Sequence, residues 1–213
     1  MFPLSDDTYR VNNPVITYLI ILISVAVFGW QFTSGVFEQY IVAYGFIPRF
    51  FSFTDPSTYW QIFTSMFMHG GFFHIISNLW FLHIFGDNVE DHMGHVRYLL
   101  FYLAAGIVAT LVQYALDPGS QLPLIGASGA ISGVAGAYAV WFHDSRVKTL
   151  VAVFYYISII RIPAYIVLGY WFVLQVFSGL GSLASVGTDV GGVAFMAHIG
   201  GFVFGYVFAK IFR

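Results

Sequence analysis

The stretch VNNPVITYLIILISVAVFGWQFTSGVF, Val11 to Phe37, runs for 27 residues between Arg10 and Glu38 without one charged side chain. About 20 apolar residues suffice for a helix to cross the hydrocarbon of a bilayer, so this stretch reads as a membrane span. Working outward, charge-free runs recur: 31 residues between Asp55 and Asp87, 19 between Arg97 and Asp117, and 26 between Asp117 and Asp144. Further on come 12 residues between Lys148 and Arg161, 27 between Arg161 and Asp189, and 20 between Asp189 and Lys210. Six of the seven runs are long enough to span. The 12-residue run is not, and Leu150 to Ile160 is expected to form an interfacial segment.

Composition agrees. Of 213 residues, 59% are apolar and only 8% charged, against roughly 45–50% and 25% in a soluble domain. So few charges cannot cover a soluble globule of this size, which excludes a soluble enzyme, a disordered chain and a basic nucleic-acid binder. A formal net charge of -2 implies no nucleic-acid partner, and the absence of cysteine excludes a disulfide framework, a thiolate zinc site and cysteine catalysis.

The expected architecture is an all-α membrane protein of six transmembrane helices, at about 14–33, 72–87, 96–116, 125–142, 163–180 and 193–211. Gly70-Gly71 and the polar stretch before them shorten the second helix, and Pro163 favours the start of the fifth. An even number of spans places both termini on one side. That side would hold Arg10, Arg97, Arg146, Lys148, Arg161, Lys210 and Arg213, the other only Arg49, so both ends are expected to be cytoplasmic. The first span lacks the flanks of a cleavable signal. The first external loop, about 34–60, carries Phe46, Ile47, Phe50, Phe51, Phe53, Tyr59 and Trp60, and is expected to lie partly in the headgroup region. Residues 1–213 are read as a single domain with short tails at 1–13 and 212–213. The minimal six-span form and these tails point to a prokaryotic plasma membrane.

Polar side chains within a bilayer are costly, so each raises a functional question. The fourth span opens with Gly126-Ala127-Ser128-Gly129-Ala130-Ile131-Ser132-Gly133, and the sixth carries Ala197-His198-Ile199-Gly200-Gly201 followed by Gly205. Gly129 and Gly133, like Gly201 and Gly205, are four apart, a spacing that lets membrane helices approach backbone to backbone. Taken alone this is a packing seam. His198 shares a helix face with Gly201 and Gly205 and so points into the same seam, where a serine of the fourth helix could reach it. A hydroxyl becomes a good nucleophile when a base accepts its proton, and imidazole suits that role. A structural histidine remains the alternative. No Asp or Glu falls inside either helix, so a Ser–His dyad is the form available. His74 and Asn78, spaced i, i+4 on the second helix, are suitable donors to an oxyanion, or else a polar pair gluing helices. Ser128 and Asn78 are expected in the outer half of the membrane, where water can enter.

These residues resemble the rhomboid family of intramembrane serine proteases. The resemblance rests on Gly126-Ala127-Ser128-Gly129, on Ala197-His198-Ile199-Gly200-Gly201 with Gly205, on His69, His74 and Asn78, and on Gly86-Asp87-Asn88-Val89-Glu90, and it spans about residues 12–211. It implies Ser128 as nucleophile and His198 as general base and then acid, with His74, Asn78 and the Ser128 backbone N–H binding the oxyanion. It implies transmembrane protein substrates in the lipid bilayer, and no metal or cofactor. Two positions depart from the family pattern. Ser132 stands where members often carry an aromatic under the imidazole, and Trp60-Gln61 replaces a Trp-Arg pair that anchors the first loop.

Two other readings compete. His92 and His95 lie beside Asp87, Glu90 and Asp91 as a conceivable metal site, but no H-E-x-x-H occurs and a solvated loop capping helix ends accounts for them. A transporter or channel would use the buried polar set as a path, yet no inverted repeat and no mid-membrane acid accompany it.

Overall fold

The computed structural model describes residues 1–153, 155–184 and 194–212. Asp189 and Arg213, used above to bound a span and count charges, and residue 193 at the expected start of the sixth helix lie outside them.

Pro14 precedes α1, Val15–Thr33, whose 19 residues reach about 28 Å at 1.5 Å each. The first N–H groups of a helix have no partner within it. Here Ile16 and Thr17 donate theirs to Glu90, at 2.8 and 2.7 Å. Glu90 belongs to α4, Phe72–Met93, so the start of α1 lies beside the end of α4. Gly94, with φ of +77°, turns the chain sharply there, a conformation glycine adopts without a Cβ penalty. α5, His95–Leu116, then runs back. α6, Ser128–Trp141, and α8, Phe195–Ile211, end side by side, with Trp141 Nε1 donating to the Ala209 carbonyl at 3.2 Å. α7 spans Ala164–Ala184. The chain is mostly helical, and the long helices alternate in direction.

Three of these helices are long and apolar enough to cross a membrane: Val15–Thr33, His95–Leu116 and Ala164–Gly181; Phe195–Ile211 is a shorter apolar helix. The second predicted span continues past residue 87 to Met93. Its acidic residues do not end it because the N-terminal segment supplies their partners: Arg10 pairs with Asp87 at 2.6 Å, and Asp91 accepts from the Val11 and Asn12 backbone at 2.8 and 2.9 Å.

α6 occupies the centre. Every residue from Ala130 to Tyr138 is buried, and a helix covered on all faces needs small residues to admit its neighbours. The core around it includes Leu82, Phe85, Val89, Tyr98, Tyr102 and Phe202.

The expectation of an all-α chain is corrected by a three-stranded antiparallel sheet in the order β1-β2-β3, with β1 at Phe2–Asp6, β2 at Arg146–Val153 and β3 at Tyr156–Pro163. The expected interfacial segment is thus a hairpin, paired from Arg146↔Pro163 to Val153↔Tyr156. Its density of Val, Ile and Thr suits a pleated surface, and pairing satisfies backbone groups that a short extended run would leave open. β1 occupies part of the expected N-terminal tail. It is tied to α4 by Trp80 Nε1 donating to the Pro3 carbonyl at 2.8 Å and by Asn88 Nδ2 donating to Asp6 at 2.7 Å.

The first loop is folded rather than open. It holds α2, Phe37–Tyr44, helical turns at Pro48–Phe50 and Pro56–Thr58, and α3, Trp60–Thr64. Phe46 exchanges backbone hydrogen bonds with Leu124 at 3.0 and 2.7 Å, and Phe51 packs on Tyr114. Gln61 Nε2 donates to the Ala43 carbonyl at 3.2 Å, so an amide anchors the loop where no arginine is present.

Candidate active site

The site is built on the seam between α6 and α8. A Cβ added at Gly201 would collide with the Gly129 carbonyl, and one at Gly205 with the Gly133 carbonyl. Gly129 and Gly133 in turn face Ala109 and Ala105 of α5, where an added Cβ would come within 2.7 and 2.5 Å of their methyl groups. Backbone contact of this kind requires glycine, and it brings the first turns of the two helices to side-chain distance.

Ser128 is the first residue of α6. Gly126 before it has φ of +110° and donates its N–H to the Ser65 carbonyl at 2.8 Å, which fixes the angle at which the chain enters the helix. Across the seam, His198 Nε2 lies 2.7 Å from Ser128 Oγ. His198 is 8% exposed, and its other ring nitrogen, Nδ1, lies 2.7 Å from Oε1 of Gln175 on α7. Trp171, one helical turn earlier on α7, sets its ring 5.9 Å from the imidazole, tilted by 34°.

Ser132 does not reach the imidazole. Its hydroxyl donates to the Ser128 carbonyl at 2.6 Å and its Cβ packs near Gly201. The aromatic rings beside His198 come from Trp171 of α7 and Phe195 of α8, not from α6.

His74 and Asn78 stand on the first two turns of α4. The Gly70 N–H donates to His74 Nδ1 at 3.2 Å, which leaves the proton of a neutral ring on Nε2. That nitrogen faces Gly126: a Cβ added there would sit 2.7 Å from His74 Nε2 and 3.7 Å from Ser128 Oγ. Asn78, 6% exposed, donates one amide hydrogen to the His74 carbonyl at 2.8 Å, so its second amide hydrogen is the one left for another acceptor. His69 is held from α1, where Gln31 accepts its N–H at 3.2 Å and donates to its carbonyl at 3.0 Å. A cavity of about 10 Å³ adjoins Ser128, with Ser65 and Thr110 in its wall, at the lower limit of room for one water.

The histidines and acids weighed as a metal site part company. His95 Nδ1 meets Glu90 at 2.6 Å, whereas the His92 ring lies 4.3 Å from Trp141. Glu90 is 1% exposed, not part of a solvated loop, and it caps a helix start as described above. Among the described residues no three His, Asp or Glu side chains gather as metal ligands.

Gln175 escaped the reading of the sequence. It is the one carboxamide in α7, a helix without a charged residue, and polarity at membrane depth is the signal that could have singled it out.

A family model described as Rhomboid domain matches residues 56–213. The chain is 28% identical over 125 residues to the putative rhomboid protease YdcA of Bacillus subtilis, covering 59% of this chain and 61% of that protein. It is 32% identical over 131 residues to the rhomboid protease GluP of the same organism, covering 61% and 25%. It is also 33% identical over 102 residues to inactive rhomboid protein 1 of Drosophila melanogaster, covering 46% and 7%. The chain thus matches less than two thirds of the length of each of these relatives.

Proposed function

The chain belongs to the rhomboid family, and from that premise we propose that it is an intramembrane serine endopeptidase working through a Ser128–His198 dyad. The observation that carries the reading is the 2.7 Å approach of Ser128 Oγ to His198 Nε2. In the proposed mechanism Ser128 Oγ attacks the carbonyl carbon of a peptide bond while its proton passes to His198 Nε2. The carbonyl oxygen becomes an oxyanion. His198 then gives the proton to the leaving amine, the C–N bond breaks, and Ser128 is left acylated. A water attacks the ester, His198 takes the proton of that water and returns it to Ser128 Oγ, and the acid product departs.

Three donors support the oxyanion role. The Ser128 N–H opens α6 and belongs to the helix turn whose amides lack intrahelical acceptors, at the positive end of the helix dipole. His74 Nε2 faces this point through Gly126, and Asn78 retains one free amide hydrogen. Each such donor is worth about 2.7–4 kcal/mol to the transition state.

The substrates are transmembrane segments of other proteins, in keeping with the family. The domain is a single unit of six spans with its first loop lodged partly in the headgroup region. Ser128 lies on the external side and both termini lie on the cytoplasmic side of a prokaryotic plasma membrane. Helix alternation supports this orientation, since it sets Arg10, Arg146 and Lys210 at the end of the bundle away from Ser128. The match to an inactive relative raises a second reading, a non-cleaving binder of membrane helices, and the pairing of Ser128 with His198 argues against it. The test is cleavage of a model transmembrane substrate in reconstituted vesicles. Wild type is expected to cut it, and Ser128→Ala and His198→Ala to leave it whole. Cleavage by either variant would refute the dyad.

A further inference from the structure

We infer that Gln175 is the positioning residue of the dyad, the group that sets both the tautomer and the orientation of His198; the inference rests on the protease reading above. A neutral imidazole carries one proton, on Nδ1 or on Nε2, and only the unprotonated nitrogen can act as base. An amide oxygen accepts hydrogen bonds and cannot donate them. Gln175 Oε1 stands 2.7 Å from Nδ1, so it stabilises the ring form with the proton on Nδ1. That form leaves the lone pair on Nε2, directed at the Ser128 hydroxyl 2.7 Å away. With the amide in this orientation, the opposite tautomer would set the lone pair of Nδ1 against the lone pairs of Oε1 and turn an N–H toward Ser128, where it could no longer take a proton.

Geometry makes the same point about orientation. His198 is fixed at both nitrogens by groups on two different helices, α6 and α7, so the ring cannot rotate without losing one bond. Trp171, on the same helix as Gln175, borders the ring face. Among the described residues no carboxylate pairs with His198, and His74 of α4 is the other titratable side chain nearby. Among the described residues, the amide oxygen is the hydrogen-bond acceptor at Nδ1 that meets the positive charge of the ring when Nε2 takes the serine proton. An amide is a neutral counterpart of the acid that completes a serine triad. It lets the dyad work in a low-dielectric seam without burying a charge, which would be costly there.

The experiment uses the full chain in vesicles. Gln175→Met keeps the length and removes the acceptor, Gln175→Ala removes both, and Gln175→Glu keeps the acceptor and adds a charge. The expected result is a fall in kcat of roughly 10- to 100-fold in the Met and Ala variants with KM unchanged. Gln175→Glu is expected to retain turnover, with the acidic limb of its kcat/KM profile moved up by about one pH unit or more, because a carboxylate favours the charged ring. A second readout does not depend on activity. In ¹⁵N-histidine-labelled protein, His198, assigned by loss of its signals in His198→Ala, is expected to be protonated at Nδ1 in wild type and to lose that preference in Gln175→Met. Wild-type kcat together with an unchanged tautomer in Gln175→Met would overturn the inference while leaving an inactive Ser128→Ala as support for the protease. Cleavage by Ser128→Ala would instead sink the protease reading, and this inference with it.

Discussion

Glu90 and His198 are both buried polar groups, placed toward opposite ends of one helix bundle, and their surroundings differ in kind. Glu90 has its two oxygens filled by two backbone N–H groups of α1 and by His95. Asp91, at the same end, takes two backbone amides and the Asn12 side chain. Asp6 accepts from Tyr138 and Asn88. At the other end the polar set is neutral and incompletely used: the second amide hydrogen of Asn78 and the Nε2 of His74 have no hydrogen-bond partner among the described residues, and the Ser128 hydroxyl leans on a base. Saturated carboxylates such as these hold helices in place, while the Thr17 hydroxyl and the Asn88 amide oxygen near them are buried without a partner among the described residues. Groups with capacity left over can meet charge that appears only during a reaction.

That contrast is open to being broken. The largest effect is expected from Ser128→Ala and His198→Ala, each lowering cleavage by at least about 10³-fold while the unfolding midpoint stays at the wild-type value. A large drop in the midpoint would mean that this end also holds the fold. Next comes Asn78→Ala, for which a loss of about 10²-fold in kcat is expected with little change in stability; an unaltered rate would remove Asn78 from the oxyanion role. The opposite end should behave in reverse. Glu90→Ala leaves the Ile16 and Thr17 amides unpaired, and is expected to cost about 1.5–3 kcal/mol of stability in denaturant unfolding with turnover per folded molecule unchanged. The smallest effect is a pH dependence. Burial holds the Asp6 carboxyl above its ordinary 3.8, against the downward pull of Tyr138 and Thr8. The folded state then binds this proton more tightly than the unfolded chain. Its stabilising contribution is complete below the ordinary value and is lost as pH rises through the folded-state value. Asp6→Asn is therefore expected to gain on wild type in unfolding midpoint as pH rises above the ordinary carboxyl value, and a constant difference would contradict the argument.

The sequence made the helices legible through their charge-free runs, and the seam through glycines spaced four apart on two segments. It could not disclose that α4 extends to Met93, because the partners that neutralise its acids come from residues some 80 positions earlier, such as Val11 for Asp91. The hairpin was hidden for a related reason. Its 12 uncharged residues are too few to span, and nothing local says that Tyr156–Pro163 folds back on Arg146–Val153, or that Arg146–Val153 also pairs with Phe2–Asp6. In the site, Ser128 and His198 stood out by residue type and face. Gln175 did not, since its meaning depends on α7 packing 23 residues away in sequence against α8. Asn78 was legible as a donor, but its bond to the His74 carbonyl was not.

The central claim is that His198 makes the Ser128 hydroxyl a nucleophile, and labelling with a fluorophosphonate probe tests it most directly. Purified protein is treated with the probe and the modified residue is mapped by mass spectrometry, with Ser128→Ala and His198→Ala alongside. Modification of wild type at residue 128, and of neither variant, is predicted. Equal modification of wild type and His198→Ala, or a label that persists in Ser128→Ala, would contradict it.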